Sequence, residues 1–308
     1  MKPEELKKKS VAVVFGGDSA EREVSLRSGE AVLNALKQKG YEAFPIDSAE
    51  EVAQQLLLSG AETVFLAVHG RHGEDGTIQG LLEMLKIPYT GSGVLASAVA
   101  MDKAVTKTVV QAAGVVTPHA KVINAETDLT IFCDTHINYP CVVKPVREGS
   151  TLGIGVARDA DELQHAIKAA RTYDAKVLVE DFIAGREVTV GVMDGHALPI
   201  VEVVAKSGFY DYNAKYTPGQ TEYHVPAPLD KELYAAIQVA AQKVYSAVGC
   251  KGAVRVDFML RGDEFFFLEV NTIPGMTETS LLPKAATHEG MDFAELVERI
   301  LCDAALDK

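Results

Sequence analysis

Several features that would place this chain in a special class are scarce or missing in its sequence. Its 308 residues include only four cysteines, and no two of them form a CxxC pair. This spacing is typical of reduced thiols and argues against a disulfide framework. The first ten residues, MKPEELKKKS, are charged and lack the apolar segment of a signal peptide. The sequence therefore predicts a cytoplasmic protein.

Long hydrophobic runs are missing as well. The longest, around residues 94–101, is too short to span a bilayer. Acidic residues outnumber basic ones by 43 to 30, which gives a net charge of −13. A chain this acidic is not expected to bind nucleic acid or an anionic membrane through general electrostatic attraction. A local basic site for a small anion is still compatible with this charge.

Two common nucleotide-binding fingerprints are also absent. The sequence has no GxxxxGK[ST], and no GxGxxG that ends a strand and begins a helix. These absences argue against a P-loop enzyme and against a nicotinamide-dependent dehydrogenase. The chain does have ample apolar content, because 47% hydrophobic residues are enough to bury a real core.

The first hundred residues alternate predicted strands and helices. Apolar runs at residues 11–15, 43–46 and 63–68 indicate strands, and the segments between them have helical spacing. This alternation predicts a doubly wound parallel sheet. Ligands bind such sheets at the carboxyl ends of the strands, where the polar loops 16–21 and 69–77 lie.

From residue 101 onward, strands and helices no longer alternate regularly. Helices are predicted at residues 102–113, 159–171, 231–248 and 292–305. Strands are predicted at residues 141–144, 154–157, 177–180, 187–193, 197–204, 253–260 and 265–270. The sequence thus predicts an N-terminal doubly wound domain over residues 1–100. Two α+β subdomains follow, over residues 101–182 and 183–308.

A glycine-rich segment, EGSTLGIG at residues 148–155, has the chemistry of a phosphate-binding loop. Its glycines let backbone amides approach an anion, and Ser150 and Thr151 add hydroxyl donors. Predicted strands on both sides make it the tip of a hairpin. Lys144 ends the preceding apolar strand, and a lysine in such a segment needs a counter-ion if it is buried. A nucleotide phosphate would supply one; a lysine in water on an edge strand is the alternative.

The predicted hairpin of residues 253–270 carries acids on both strands. A loop of odd length, such as Gly262 to Glu264, would place Asp257 opposite Glu269 and Arg255 opposite Asn271. A loop of even length would place these acids on opposite faces. Facing carboxylates repel each other and need a cation, and hard oxygen ligands suit Mg²⁺. We therefore favour a metal site here over a solvated sheet face.

Two histidines, His69 and His72, have a spacing that superficially suits zinc. No third soft ligand lies near them in the sequence, and several glycines surround them. A histidine that contacts substrate or a neighbouring acid at the end of a strand fits this loop better.

Taken in order, these segments resemble the D-alanine–D-alanine ligases of the ATP-grasp superfamily over nearly the whole chain. The matching strings are GGDSAEREVSL, HGRHGEDGTIQG, PYTGSG, MDK, VVKPVREGSTLGIG, FYDYNAKY, GCKGAVRVDFML and FLEVNTIPGMTETSL. The resemblance implies an ATP-grasp fold in which the two α+β subdomains clasp the nucleotide. It also implies a homodimer.

The resemblance further implies a reaction. The carboxylate of one D-alanine attacks the γ-phosphate of ATP, and the amine of a second D-alanine then attacks the resulting D-alanyl phosphate. ADP, phosphate and D-alanyl-D-alanine, a peptidoglycan precursor, are the products. Two Mg²⁺ ions, replaceable by Mn²⁺, take part. An acyl phosphate has a good leaving group, whereas a free carboxylate resists attack by an amine.

The family's site residues can be placed on this sequence by position. Lys215 corresponds to the lysine that reaches the γ-phosphate when a mobile segment closes. Asp257, Glu269 and Asn271 correspond to the metal ligands. The positions that correspond to nucleotide-binding residues are Lys103, Lys144, Ser150, Thr151, Glu180, Asp181, Phe182, Ile183, Glu187, Phe209, Lys215 and Phe267.

The remaining positions correspond to the family's substrate site. Glu21 matches the acceptor of the first ammonium group, and His69 the histidine on the substrate side. Arg255 and the Gly275 amide match the oxyanion donors. Ser280 and Leu281 match the pocket for the second carboxylate. The family's set for positioning the second amine consists here of Glu21, Ser150 and Tyr216.

Three alternatives can be weighed on these residues. A D-alanine–D-lactate ligase is disfavoured, because enzymes of that type resemble each other in having Phe at the position of Tyr216. A nucleotide-binding regulatory module would be expected to lack a lysine or a metal ligand, yet all are present. A nicotinamide-dependent dehydrogenase is disfavoured by its missing fingerprint.

Overall fold

The computed structural model describes residues 1–129, 132, 137–149, 151–206, 219–277 and 279–308. These residues form three β-sheets, of three, four and six strands. We call them the N-terminal, central and C-terminal sheets. Among the described residues, no helix is long and apolar enough to cross a membrane.

The N-terminal sheet is parallel, with the strand order β2-β1-β3. Its strands are β1 (Ser10–Phe15), β2 (Glu42–Asp47) and β3 (Thr63–Leu66). The helices of this region are α1 (Pro3–Leu6), α2 (Arg22–Gln38), α3 (Val52–Ser59), α4 (Thr77–Leu85) and α5 (Val94–Met101). All but the first residue of β1 are buried, as expected for a central parallel strand. The predicted alternation and parallel pairing are confirmed here.

The central sheet is antiparallel, with the order β4-β7-β5-β6. Its strands are β4 (Ala120–Ile123), β5 (Cys141–Pro145), β6 (Gly155–Ala157) and β7 (Val177–Asp181). The helices α6 (Lys103–Ala112) and α7 (Ala160–Ala170) accompany it. Because β5 pairs antiparallel with β6, the glycine-rich segment joins two strands of a hairpin, as predicted.

The C-terminal sheet has the order β11-β10-β8-β12-β13, with β9 paired to β8. Its strands are β8 (Arg186–Met193), β9 (His196–Ala197), β10 (Val201–Ala205), β11 (Thr221–His224), β12 (Ala253–Arg261) and β13 (Glu264–Asn271). The helices are α8 (Lys231–Val248), α9 (Leu281–His288) and α10 (Phe293–Cys302). The strand predicted over residues 197–204 is two strands, β9 and β10.

The β12–β13 hairpin corrects one prediction and confirms another. Arg261 pairs with Glu264, so the loop has two residues and is not of odd length. A register shift between Asp257 and Phe258 inserts one extra residue on β13, because Phe258 pairs with Phe267 while Asp257 pairs with Glu269. This bulge restores the predicted pairing that the loop alone would have prevented.

The N-terminal and C-terminal parts of the chain share a hydrophobic core. Val11 of β1 and Leu36 of α2 belong to the same buried cluster as Leu282 of α9 and Leu301 of α10. This packing holds the carboxyl end of the N-terminal sheet close to residues that follow β13. Loops from distant parts of the sequence can therefore converge on one site.

Close packing of α2 on β1 allows a stability test. A Cβ added at Gly29 would lie 2.1 Å from Cγ of Phe15, whereas one at Gly80 of α4 would meet no atom within 4 Å. Gly29→Ala is expected to lower the free energy of unfolding by about 2 to 3 kcal/mol, because the helix must move off the strand. Gly80→Ala should raise it by about 0.5 to 1 kcal/mol through helix propensity. Chemical denaturation checks both, and equal effects would contradict the close contact.

Candidate active site

Two adjoining cavities lie between the three sheets. The larger, of about 450 Å³, is lined by residues of the central and C-terminal sheets. The smaller, of about 80 Å³, is lined by residues of the N-terminal loops, the glycine-rich segment and the chain around β12 and β13. Glu269 lines both cavities, so they meet at this carboxylate.

The larger cavity gathers most of the predicted nucleotide-binding residues. Lys144 and Thr151 lie at its central-sheet side, and the chain between β7 and β8 forms a wall. Thr151 has φ +64°, a left-handed conformation that is unfavourable for a β-branched residue and is held by the turn after Gly149. The other predicted residues that line this cavity are Glu180, Asp181, Phe182, Ile183, Glu187 and Glu269.

The Glu180 side chain is enclosed between two lysines, and all three groups are buried. Lys144 Nζ contacts its Oε1 atom, and Lys107 Nζ lies 2.8 Å from its Oε2 atom. Burial alone would raise the pKa of Glu180, but the two ammonium groups hold that pKa below its ordinary value. Burial also lowers the pKa of Lys107, and the Glu180 carboxylate opposes this shift. Lys107 was not among the predicted site residues.

Phe267 does not line the larger cavity. It is fully buried in the core and packs edge-to-face on Phe258, with the ring centroids 6.2 Å apart. Leu268 lines the cavity instead, beside Met259. The bulge in β13 explains the difference, because one inserted residue exchanges the faces to which side chains point.

The predicted metal ligands lie together at the bulge. Asp257 is buried and faces Glu269 across the strand pair, and Arg255 faces Asn271. Arg255 donates to both oxygens of Asp257, over 3.0 Å from Nε and 2.9 Å from the terminal nitrogen. Asn271 Nδ2 donates to Asp257 Oδ2 over 3.2 Å, and Thr189 Oγ1 donates to Oδ1 over 2.5 Å.

Lys103 links these acids to the glycine-rich segment. Its Nζ atom lies 3.2 Å from Glu269 Oε2 and donates to the backbone oxygen of Glu148 over 2.6 Å. Asp102 begins the helix that carries Lys103, since its side chain accepts hydrogen bonds from two amides of the first turn. The predicted phosphate-binding lysine is thus buried beside a predicted metal ligand.

The smaller cavity brings together loops from both ends of the chain. Glu21, at the N-terminus of α2, is buried, and a Cβ at Gly149 would lie 2.7 Å from its Oε2 atom. A side chain at position 149 would displace this carboxylate from its observed position. Ser19 Oγ accepts from the Glu21 amide and donates to the His69 oxygen over 2.7 Å, which joins the two N-terminal loops. The predicted substrate residues that line this cavity are Glu21, His69, Arg255, Gly275, Ser280 and Leu281.

The start of α9 forms the far side of the smaller cavity. Ser280 is the N-cap residue of α9, but its hydroxyl accepts from the Thr277 amide over 2.9 Å and makes no side-chain cap. The first amides of a helix attract anions, because they lack partners within the helix and lie at its positive end. A carboxylate would therefore be stabilised at this end of the cavity.

Comparisons with known proteins identify relatives over nearly the whole chain. The family model for the D-ala D-ala ligase C-terminus matches residues 108–302, and that for the N-terminus matches residues 10–55 and 46–92. A D-alanine–D-alanine ligase of Syntrophotalea carbinolica is 58% identical over 100% of both chains. One of Geotalea uraniireducens is 48% identical over 99% of each. The chain belongs to the D-alanine–D-alanine ligase family.

Solved structures agree with the family's fold. A D-alanine–D-alanine ligase from Bacillus anthracis in complex with ATP is 35% identical, with a TM-score of 0.84 over 96% of each chain. The VanG D-Ala:D-Ser ligase from Enterococcus faecalis is 31% identical, with a TM-score of 0.81 over 96% of this chain and 98% of the other. The predicted ATP-grasp fold, the predicted family and the prediction of a ligase are confirmed.

Four predicted residues of this ligase family site lie outside the described residues. They are Ser150, Phe209, Lys215 and Tyr216. Gly149 and Thr151 flank the first of them, and both line the cavities described above.

His69 and Glu74 both line the ligase's smaller cavity. His69 is buried, with Nε2 3.3 Å from Ser28 Oγ, and burial lowers its pKa, with a further contribution from Arg255. Glu74 accepts from the Gly70 amide over 2.8 Å. Burial, and secondarily Glu21, raises the pKa of Glu74 to about 8. Sequence reasoning missed Glu74, although it stands in the HGRHGEDG string, because a loop acid gives no sign of being enclosed.

The raised pKa of Glu74 predicts a pH-dependent stability. Its folded-state pKa of about 8 exceeds the ordinary value, so between pH 6 and 8 the folded state holds a proton that the unfolded state has lost. Unfolding free energy therefore falls as pH rises through this range. Glu74→Gln stays neutral across this range. Its free energy of unfolding, relative to that of the wild type, should therefore rise by about 1 to 2 kcal/mol from pH 6 to pH 8. Thermal unfolding across pH tests this, with the exposed Glu232→Gln as control. A Glu74→Gln difference that is constant with pH would contradict it.

Proposed function

We propose that the chain joins two D-alanine molecules at the expense of ATP, through a D-alanyl phosphate, for synthesis of a peptidoglycan precursor. The observation that carries this proposal is the meeting of the two cavities at Glu269. One cavity is large enough for a nucleotide and is lined by Lys144, and Lys103 contacts the shared Glu269. The other has an acid, an arginine and a helix N-terminus, which suit the charged groups of amino acids.

The nucleotide is proposed to bind in the larger cavity. Lys144 and Lys103 would meet its phosphates, and the chain over residues 180–183 its base. Glu187, which lines the same cavity, would bind the ribose. Leu268 is proposed to contact the base in place of Phe267, which is enclosed in the core. Positive charge fixed around the transferring phosphoryl group supplies most of the stabilisation that such a transfer needs.

Divalent metal ions are proposed to bind at Asp257, Glu269 and Asn271. These residues offer two carboxylates and an amide oxygen within one strand pair, which suits the oxygen preference of Mg²⁺. No group of three His, Cys, Asp or Glu side chains that could hold a metal occurs among the described residues. This donor set fits an ion that takes its other ligands from phosphate and water. Two Mg²⁺ ions, or Mn²⁺ in their place, would neutralise phosphate charge.

The amino acid substrates are proposed to bind in the smaller cavity. Glu21 would accept the ammonium group of the first D-alanine. Arg255 and the Gly275 amide would stabilise the oxyanion that forms when the second amine attacks the acyl phosphate. Ser280, Leu281 and the start of α9 would bind the second carboxylate. His69, favoured as neutral by its burial, would contact the substrate without adding charge.

The four residues outside the described part of the chain keep their proposed roles by position in the family. Lys215 would reach the γ-phosphate, and Phe209 would lie at the nucleotide. Ser150 and Tyr216 would form the hydrogen-bonded set with Glu21 that positions the second amine. Exclusion of water from the site would protect the acyl phosphate from hydrolysis. Tyr216 also favours a dipeptide over an ester product.

Phosphate release and product mass test the proposed function together. With ATP, Mg²⁺ and D-alanine, we expect stoichiometric ADP, phosphate and a product with the mass of D-alanyl-D-alanine. Chelation of the divalent ion should stop turnover, and added Mg²⁺ should restore it. D-lactate and D-serine as second substrates test the alternative products. Turnover of ATP without dependence on D-alanine, or a more efficient ester synthesis, would contradict the proposal.

A homodimer in the cytoplasm remains part of the proposal. Large apolar side chains are exposed on the helices of the N-terminal sheet, and a second copy would cover them. They are Leu57, Leu58, Met84 and Leu95.

The division of the chain into residues 1–100, 101–182 and 183–308 is likewise proposed. The proposal includes neither nucleic acid nor a membrane as a partner.

A further inference from the structure

Lys107 is a buried charged group that the proposed reaction leaves without a role. It lies one helical turn after Lys103 on α6, so both side chains share one face of the helix. Lys107 is only 4% exposed and lines neither cavity. It therefore contacts no ligand there. Burying an ammonium group costs several kcal/mol unless a counter-ion compensates.

Glu180, the counter-ion of Lys107, also pairs with a lysine that lines the larger cavity. Glu180 has Lys107 at Oε2, 2.8 Å away, and Lys144 at Oε1. Lys144 lines the larger cavity, as does Glu269, which also lines the smaller one. A phosphate that binds Lys144 in that cavity would draw its ammonium group away from Glu180.

The free-energy cost of drawing Lys144 from Glu180 to a phosphate depends on Lys107. If Lys144 were the only cation at Glu180, its transfer to a phosphate would leave a buried carboxylate unpaired. With Lys107 in place, Glu180 keeps one charged partner throughout. We propose that Lys107 is a positioning residue for nucleotide phosphates: it stays paired with Glu180 and thereby leaves Lys144 available to the phosphate. The proposal rests on the proposed function only in that ATP occupies the larger cavity.

Binding of ATP and of adenosine to purified Lys107→Met separates this role from a structural one. Both ligands are measured by calorimetry with the full-length protein and no D-alanine. The variant should bind ATP about 10- to 100-fold more weakly, because Glu180 retains Lys144. Adenosine, which has no phosphate, should bind within about twofold of the wild type. Lys168→Met, at an exposed lysine of α7, should change neither affinity.

A second variant tests the route through Glu180. In Lys107→Met/Glu180→Gln no carboxylate retains Lys144, so adding Lys107→Met to Glu180→Gln should change the ATP affinity by less than about threefold. This double variant removes Lys107 together with its counter-ion, and the Lys144 ammonium group that remains lines the cavity, so the route can be tested even if the single variant fails to fold.

Three results would overturn the inference. The first is an unchanged ATP affinity in Lys107→Met. The second is an equal loss of ATP and adenosine binding, which a general loss of structure would give. The third is an undiminished effect of Lys107→Met in the Glu180→Gln background. If the wild type binds ATP but makes no dipeptide, the proposed reaction fails while the role of Lys107 stands or falls on these affinities.

Discussion

Replacing Arg255 by methionine is expected to lower kcat/KM for dipeptide formation about 10³-fold. The guanidinium lines the smaller cavity, with a side chain only 18% exposed, so its charge acts where water screens it little. It is also the ion-pair partner of Asp257, at 2.9 Å. The variant therefore loses an oxyanion donor and leaves a buried acid without that cation. Steady-state measurement of dipeptide at saturating ATP gives the result.

The same strand offers a matched control for Arg255. Arg261 also pairs with an acid, Glu264 at 2.9 Å, but both side chains are more than half exposed. Exposed pairs of this kind contribute little, so Arg261→Met should keep kcat/KM within about twofold. Arg255→Lys keeps the charge without the two-point contact and should be intermediate. ATP affinity should change little in Arg255→Met. An Arg255→Met enzyme with more than about a tenth of the activity would exclude the proposed oxyanion role.

The alternation of strands and helices could be predicted where side-chain pattern alone decides the structure. The strands β1 to β3 are short apolar runs bounded by polar turns, and their parallel pairing follows from the helices between them. Among the helices that were missed are α4, α5 and α9. The N-cap residues of α4 and α5 are Gly76 and Gly93, so the usual sequence signal for a helix start is missing there. Ser280, at the start of α9, is a usual N-cap residue type but makes no side-chain cap. Packing of their apolar faces stabilises these helices instead.

The β12–β13 hairpin shows how a correct pairing was predicted for an incorrect reason. The sequence cannot reveal a bulge, because an inserted residue in a strand looks like any other apolar residue. Here the extra residue offsets the two-residue loop and keeps Asp257 opposite Glu269. The same bulge turns Phe267 into the core and Leu268 into the cavity. The bulge thus preserved the predicted pairing of Asp257 with Glu269, and it made Leu268 rather than Phe267 the residue that lines the cavity.

The enclosed charges of the site lay beyond sequence reasoning. Lys107 and Glu74 look like ordinary solvated residues of a helix and a loop. Only the tertiary structure places Lys107 beside Glu180, 73 positions later in the chain, and Glu74 beside Glu21 and Arg255. Whether a charged group is buried depends on neighbours that are distant in sequence. A family motif gives the position of a residue in the chain and does not show which residues enclose it.

Replacing Asp257 by asparagine is expected to lower kcat about 10²-fold or more and to raise the Mg²⁺ concentration needed for half-maximal rate. The carboxylate faces Glu269 across the strand pair and is bound by Arg255, Asn271 and Thr189, so its position is fixed from three sides. Asparagine keeps the shape and an amide oxygen but removes the negative charge that attracts a divalent ion. Titration of activity with Mg²⁺ at fixed ATP gives both quantities.

Glu264→Gln is the matched control for this loss, because it also neutralises an acid on the β12–β13 hairpin. Glu264 pairs only with Arg261 among the ion pairs described, and its side chain is 66% exposed. Its Mg²⁺ dependence should therefore match that of the wild type. Binding of Mn²⁺ to the protein with ADP present, followed by electron paramagnetic resonance, separates lost metal affinity from lost chemistry. Asp257→Asn with wild-type Mn²⁺ affinity would remove Asp257 from the metal site, because a charged ligand cannot be replaced by a neutral one without weakening the bond to the cation.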